Sequence, residues 1–278
     1  MNDSGRHDPE VERWIARQPE SSGPIDISVV IPCFNEERRL PSTLIEVIDY
    51  FDQRQLAYEL IVVDDGSNDG TSTQVRRFEK IRKQVNLIRV PKNSGKGFAV
   101  RTGVLNSQGT LVLFADADGS TPIAEIERLE KALQQGADMA IGSRAKADAQ
   151  THVKTSWYRK YPGRIFNLAV NLIVLPGFAD TQCGFKLFRK VPGHFIFERQ
   201  RANRYSFDVE ILYIAVRSGL KIAEVPVNWE NVPGSKVNLL LDSLKMLRDL
   251  FVFRVRHRGL GPAEYTKYLQ TGPHRGNV

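Results

Sequence analysis

The chain has 278 residues, 41% hydrophobic and 26% charged, with 39 Lys and Arg against 32 Asp and Glu and a formal net charge of +7. That size and composition fit one α/β core with short extensions and exclude a disordered chain, and the basic balance favours anionic partners, whether nucleotide, acidic lipid headgroups or nucleic acid, without choosing among them. Its two cysteines, Cys33 and Cys183, form no CxxC pair and its five histidines no HxxxH or HExxH spacing, so neither a zinc site nor a disulfide framework is indicated.

Residues 1–24 are polar, read as a flexible tail, and lack the apolar core of a signal sequence. Residues 27–31 form a short β-branched run closed by Pro32, which predicts a buried strand. Over 36–53, Leu40, Leu44, Val47, Ile48 and Phe51 share a helical stripe, with Asn35 as its candidate N-cap. A strand over 60–63 runs into Asp64-Asp65-Gly66-Ser67, and a helix over 72–84 follows with Thr71 or Ser72 as N-cap. The cycle repeats as strand 86–90, helix 96–107, strand 111–115, helix 123–135 and strand 138–141. Strands and helices alternating at this spacing predict a mostly parallel, doubly wound sheet with helices on both faces. Ligands bind beyond the carboxyl ends of such strands, and the polar and acidic clusters of this chain fall there.

Past residue 145 the pattern loosens. A basic-aromatic stretch over 154–166 leads into an apolar helix. Its longest apolar run, 168–178, is broken by Asn171, Pro176 and Gly177 and falls short of the ~20 residues of a membrane span. A soluble or peripheral cytoplasmic protein is therefore the expectation. A tight segment follows over 180–186, then a helix from about Phe207 and a late strand over 222–225. Residues 237–258 are amphipathic and basic: Leu240, Leu244, Leu247 and Phe251 share a face that ends in Arg254, Arg256, His257 and Arg258. The chain thus divides into the tail, an α/β domain over 25–235 and a basic amphipathic extension over 236–278. A basic amphipathic helix can pack on the core or lie among lipid headgroups.

Phe114-Ala-Asp116-Ala117-Asp118-Gly119 carries the strongest local signal. Carboxylates two residues apart on extended backbone point to one side, where they can hold Mg²⁺ or Mn²⁺, hard cations often shared with substrate phosphates. Asp65 can accept hydrogen bonds from a base or from ribose hydroxyls; read alone, Asp64-Asp65 equally suits a helix N-terminus. Pro32-Cys-Phe-Asn35-Glu36-Glu37 closes the first strand, and Lys92-Asn-Ser-Gly95-Lys96-Gly97 opens the third helix, where phosphate can meet a helix N-terminus. Neither GxxxxGK[ST] nor GxGxxG occurs, which counts against nucleotide kinases, GTPases and Rossmann dehydrogenases.

In order, VVIPCFNEE, LIVVDDGSNDGT, KNSGKGFAVRTG, LFADADG and AIGSR resemble family 2 glycosyltransferases of the nucleotide-diphospho-sugar transferase (GT-A) fold. ADTQCGFKLF, RYSFDVEILYIA and IAEVPVNWENVPGSKV look like the dolichyl-phosphate (polyprenyl-phosphate) β-glucosyltransferase branch. This resemblance, covering about residues 25–256, implies an inverting, metal-dependent transfer of glucose from UDP-glucose to a polyprenyl phosphate. GDP-mannose or a non-lipid acceptor is the alternative, and no nucleic-acid partner is implied. By the same resemblance, Pro32, Asn35, Glu37, Asp65, Lys96, Asp116 and Ala117 would bind the nucleotide-sugar, with Asn35, Glu37 and Asp65 at the uracil and ribose. Asp116 and Asp118 would hold Mg²⁺ or Mn²⁺ on the diphosphate. Arg144, Arg159 and Lys236 would face donor or acceptor phosphates, while Asp180, Gln182 and Gly184 would shape the sugar and acceptor pocket. Asp116, Asp118, Arg144, Asp180 and Gln182 form the implied catalytic set, and Asp208 and Glu210 a second acidic pair near the acceptor. Two features depart from related enzymes: Ser120 stands where mannosyl enzymes carry a metal-binding Gln, and the N-terminal stretch is polar where eukaryotic glucosyl enzymes carry an anchor. A phosphate acceptor is largely dianionic at neutral pH and needs no general base. A hydroxyl acceptor would require a carboxylate such as Asp180 or Asp208 to take the proton.

Overall fold

The computed structural model describes residues 23–146, 148–154, 170–171, 175–232 and 239–272, with backbone alone for 154 and 239–247. Seven strands form the main sheet: β1 (Ile27–Cys33), β2 (Tyr58–Asp64), β3 (Val85–Arg89), β4 (Leu111–Ala115), β5 (Met139–Ser143), β7 (Phe185–Arg189) and β8 (Ile222–Pro226). Their order is β3-β2-β1-β4-β7-β5-β8. Neighbours pair in parallel except β7, which is antiparallel to both β4 and β5. A small second sheet pairs β6 (Val153–Lys154) with β9 (Trp229–Glu230).

Period-two alternation sorts the core. Val30, Ile61, Val63, Val112 and Phe114 face one side of the sheet; Val29, Ile31, Leu60, Val62 and Leu113 face the other. Every residue of β1 and β2 is buried, as expected for strands covered on both faces. One face is covered by α1 (Leu40–Arg54), which seats Leu44, Ile48 and Phe51, and by α4 (Ile126–Gln134), which seats Leu129 and Leu133; α2 (Thr71–Ile81) adds Val75. The other face is covered by α3 (Lys96–Leu105), α5 (Lys190–Arg199), α6 (Phe207–Arg217), α7 (Leu239–Arg256) and α8 (Pro262–Thr271). From the expected extension, Leu250, Phe253, Leu260 and Tyr268 join this second core.

Several expectations are corrected. Helix α1 starts at Leu40, not 36, and Asn35 is not its N-cap. Asn35 instead adopts a left-handed φ of 52°, and its Oδ1 accepts the Asn68 amide at 2.8 Å. Glu36 N–H meanwhile donates to Thr71 Oγ1 at 2.8 Å, so the chain is tied to the next loop before it can wind. Thr71 is the first residue of α2, with Gly70 at the cap. Strand β7 replaces part of the expected tight segment: Phe185 and Leu187 pack on the face covered by α1 and α4, and Phe188 on the face covered by α3 and α5. Its alternation is masked in the sequence because Lys186 occupies an interior position, fully buried. Helix α5 is obscured by Pro192 and Gly193, which sit in its first turn where a missing N–H costs nothing. On α7 the face turned to the core carries Leu250 and Phe253, while Phe251, on the apolar face expected either to pack on the core or to meet lipid, is exposed.

Candidate active site at the carboxyl edge of the sheet

Strands β1, β2, β4 and β5 end at one edge, where they deliver Asn35, Asp65, Asp116 and Arg144. Antiparallel β7 starts from the same edge, opposite the end of β4, with Ala115 paired to Phe185. Gly184 therefore lies beside Asp116, whose N–H donates to the Gly184 carbonyl at 3.0 Å. The Asp116 carboxylate fills the space a side chain on Gly184 would take: an added Cβ would stand 2.1 Å from Asp116 Oδ2. Only glycine permits that approach.

Asp116 Oδ1 meets Lys96 Nζ at 2.6 Å. Burial pulls the Lys96 pKa down, but Asp116 and then Asp208 outweigh it and the net direction is up, so Lys96 stays charged. Two residues on, Asp118 Oδ1 accepts the Ser120 amide at 3.1 Å. Gly119 turns the chain between them at φ 67°, and Thr43 Oγ1 fixes the loop by donating to the Ala117 carbonyl at 3.0 Å. Arg39 is held above its ordinary pKa by its hydrogen bond to Glu36, and the charges of Asp118 and Asp116 act in the same direction.

These residues suit a divalent cation shared with a diphosphate. Asp116 and Asp118 supply hard oxygen donors, and the Gly184 cradle fixes the first. Among the described residues no group of three or more His, Cys, Asp or Glu gathers as a metal cage. Mg²⁺ binds in this manner, through one or two carboxylates with substrate phosphates and water completing the shell.

The β1–β2 side of the edge is built from carboxylates that grip backbone. Asp65, buried, accepts the amides of Ser94 and Gly95, each at 2.7 Å, and so clips the loop before α3 to the end of β2. Burial raises its pKa while those two amides lower it, with a net rise. Glu37 Oε2 accepts the Gly70 amide at 3.1 Å, and Pro32 is buried within β1.

Across the edge, Arg144 clamps Asp180 with two hydrogen bonds of 2.7 and 2.9 Å and adds its own amide at 3.0 Å. Gln182 N–H also donates to Asp180, at 3.1 Å. Burial alone would raise the Asp180 pKa, yet the guanidinium and these donors hold it at about 2. The Arg144 guanidinium carbon lies 5.5 Å from the centre of the Trp229 ring. Burial pushes the neighbouring Cys183 thiol up to about 12, as befits an inert core residue.

Glu224, on β8, belongs to the site although the resemblance assigns it no role. Its buried carboxylate accepts Asp180 N–H at 2.7 Å, Ala179 N–H at 3.1 Å and Ser143 Oγ–H at 2.7 Å. It thereby joins the Arg144 loop to the Asp180 loop. The glutamate of IAEVP is visible in the sequence; its partners, 44 and 81 positions away, are not.

Asp208 and Glu210 are not brought together as a pair. Two residues apart on a helix, they diverge. Asp208 pairs with Lys186 behind Asp116, while Glu210 accepts the amides of Arg201 and Ala202 and meets His257 Nε2 at 2.9 Å. Arg159 and Lys236 lie outside the described residues.

Residues 28–193 match the family Glycosyl transferase family 2. The chain belongs to that family. It is a glycosyltransferase. Over 251 residues it is 38% identical to the dolichyl-phosphate beta-glucosyltransferase of Drosophila melanogaster, covering 86% of this chain and 77% of that one. With the Homo sapiens dolichyl-phosphate beta-glucosyltransferase it shares 39% identity over 244 residues, 83% of this chain and 75% of that one. Among solved structures, glucosyl-3-phosphoglycerate synthase from Mycobacterium tuberculosis, in complex with Mn²⁺, UDP-glucose and phosphoglyceric acid, superposes with a TM-score of 0.61 at 20% identity, covering 90% of this glycosyltransferase and 84% of that chain. The expected GT-A fold is therefore the observed one.

Proposed function

We propose that this glycosyltransferase moves glucose from UDP-glucose to a dolichyl-type polyprenyl phosphate, with inversion and with Mg²⁺ or Mn²⁺ held by Asp116 and Asp118. The observation that carries this reading is the seating of Asp116 against Gly184 at the carboxyl edge, with Asp118, Lys96 and Arg144 around it. The names of the 38–39% identical relatives support the glucosyl donor and the dolichyl phosphate acceptor. The neighbour carrying Mn²⁺ with UDP-glucose supports the ion and nucleotide.

When bound, the divalent ion would supply charge neutralisation on the departing diphosphate. Everything else falls to the chain's own groups. Lys96 offers an ammonium to the same phosphates, and Asp65 orders the loop that carries it. Pro32, Asn35, Glu37 and Ala117 line the uridine side. Arg144, fixed by Asp180, orients an acceptor phosphate, with Gln182 beside it and Arg159 and Lys236 as further contributors. A phosphate oxygen forms its bond to the anomeric carbon as the bond from that carbon to the diphosphate oxygen breaks, inverting the centre. The electron pair leaves on UDP. No proton must be removed from a dianionic phosphate, so neither Asp180 nor Asp208, both bound to cations, has to act as base. Fixed cations around a partly dry site favour the charge that develops on the leaving group.

The acceptor's lipid supports a membrane contact through the outer side of α7. Phe251 is 58% and Val255 76% exposed, and Arg248, Arg254 and Arg258 are exposed with them. Such a face places apolar groups at the headgroup level with cations beside anionic lipid. No helix among the described residues is long and apolar enough to cross a bilayer.

The decisive experiment is a matrix of UDP-glucose, GDP-mannose and other donors against polyprenyl phosphate and non-lipid acceptors, scored for product and anomeric configuration. β-Glucosyl phospholipid from UDP-glucose is expected, with loss on chelation and in Asp118→Ala. Full turnover after chelation, or preference for GDP-mannose or a hydroxyl acceptor, would overturn the corresponding element.

A further inference from the structure

Four ionisable side chains from four elements stand together behind the candidate donor site. Asp116 follows β4, Lys96 opens α3, Asp208 lies in the first turn of α6 and Lys186 is in β7. They form two ion pairs: Lys96 Nζ to Asp116 Oδ1 at 2.6 Å and Lys186 Nζ to Asp208 Oδ1 at 2.5 Å. Both ammonium groups lie over the one ring of Phe114, 5.3 and 5.8 Å from its centre. The pairs are thus neighbours across a single aromatic side chain, and Asp208 also acts electrostatically on Lys96.

The two pairs differ in what can reach them. In the inner one, Lys186 and Asp208 side chains are 0% and 5% exposed, and Lys186 also donates to the Cys183 carbonyl. That pair is locked, since breaking it would strand a buried charge. In the outer one, Lys96 is 25% and Asp116 33% exposed. An ion from solvent can reach it.

An ammonium hydrogen-bonded to Asp116 Oδ1 occupies an oxygen the cation needs and adds repulsion at short range. We propose that Lys96 is the resident counterion of Asp116, displaced when a divalent cation enters, and that Asp208 is the carboxylate that receives it. The inference rests on the reading that Asp116 and Asp118 hold the metal. It gives Asp208 a role: a positioning residue whose carboxylate, while paired with Lys186, still attracts the Lys96 ammonium and so lowers the cost of displacing it. It also makes the site self-compensated before the ion arrives, since Asp116 never faces Asp118 without a cation at hand.

Mn²⁺ binding to the purified full chain, without donor, tests this by calorimetry. Lys96→Met retains the apolar stem and removes the competitor; it should bind Mn²⁺ about tenfold tighter than wild type. Asp208→Asn removes the receiving carboxylate and should weaken binding by about threefold or more. A general field effect predicts the same signs, so the deciding comparison is the double variant: in the Lys96→Met background, Asp208→Asn should have no effect on Mn²⁺ affinity. If Asp208→Asn fails to fold, Lys186→Met and K186M/D208N are compared instead, which leaves no stranded ammonium. Wild type that binds Mn²⁺ while Lys96→Met binds it no tighter, or an Asp208→Asn penalty of equal size in both backgrounds, overturns the inference and leaves the metal reading standing. Failure of wild type to bind Mn²⁺, with or without UDP, overturns the metal reading itself.

Discussion

Gly184→Ala isolates the packing on which the proposed metal site depends. Its added Cβ would lie 2.1 Å from Asp116 Oδ2, 2.3 Å from Cγ and 2.5 Å from Oδ1, where an ordinary contact begins at 3.4 Å. Gly184 does not need a left-handed backbone, so alanine brings a clash and not a conformational penalty. Asp116 cannot retreat with its backbone, because its amide is bonded to the Gly184 carbonyl and Ala115 is paired with Phe185. The carboxylate must therefore rotate away by about an ångström, and a displacement of ~1 Å in a reacting array costs about 100-fold in rate. That corresponds to ~2.7 kcal/mol of transition-state stabilisation. Overpacking costs ~1–3 kcal/mol of stability, at the low end here because the displaced group is partly exposed.

Both kcat/KM for sugar transfer and Mn²⁺ affinity should fall, while the melting temperature drops by only a few degrees. Gly136→Ala serves as the contrast: that glycine has φ 97° and no atom within 4 Å of where a Cβ would stand, so its cost is conformational. Stability should drop there without loss of metal affinity. A Gly184→Ala enzyme with wild-type Mn²⁺ affinity and kcat/KM within about threefold of wild type would refute the reasoning, since threefold is under 1 kcal/mol.

Three further outcomes are expected. Glu224→Gln puts an amide donor against one of the backbone N–H groups of Ala179 and Asp180; kcat/KM should fall about tenfold or more, ~1.4 kcal/mol, and the effect should vanish in an Asp180→Asn background, with additive losses counting against a shared role. Asp180, held at about 2, contributes stability fully above its unfolded pKa of 3.8 and loses it as pH falls towards 2. In Arg144→Met the charge opposing burial is gone and the folded pKa rises, so the stability difference between wild type and variant in urea melts should shrink on acidification from about pH 7 to 3; a pH-independent difference would contradict the clamp. Replacing Phe251 and Val255 together by Ser should weaken sedimentation with anionic vesicles several-fold while leaving transfer to a short-chain soluble acceptor unchanged, and unaltered sedimentation would remove α7 from the membrane contact.

What can be read from the sequence is whatever is local. Periodicity exposes β1 to β5 and the helices between them, and Asp116-Ala117-Asp118 after an apolar strand marks the ligand edge. Strand β7 escapes because Lys186 interrupts its apolar run, and the charge of Lys186 is matched inside by Asp208, 22 positions on. Gly184 is singled out by resemblance, but its physical reason is a contact with a residue 68 positions earlier. The outward turn of Phe251 is equally hidden: Leu250 and Phe253 offer a competing stripe, and only the core decides which face is taken.

The same edge holds many carboxylates, and their partners divide them by task. Asp65, Glu37, Glu224 and Glu210 each accept backbone amides of a loop, and Asp180 accepts two amides besides the Arg144 fork. Such groups cannot leave without breaking the hydrogen bonds that hold a loop, most costly where the amide is buried, as at Gly95, at ~1–3 kcal/mol. They are fixed parts of the scaffold. Asp116 differs in kind, since its carboxylate is matched by a partly exposed side-chain ammonium and seated on a glycine, so its partner can change without breaking a loop. A sequence displays all of these as acids at strand ends. The amides that immobilise most of them are supplied by distant turns, which is why the exchangeable carboxylate is distinguished by its neighbours and not by its motif alone.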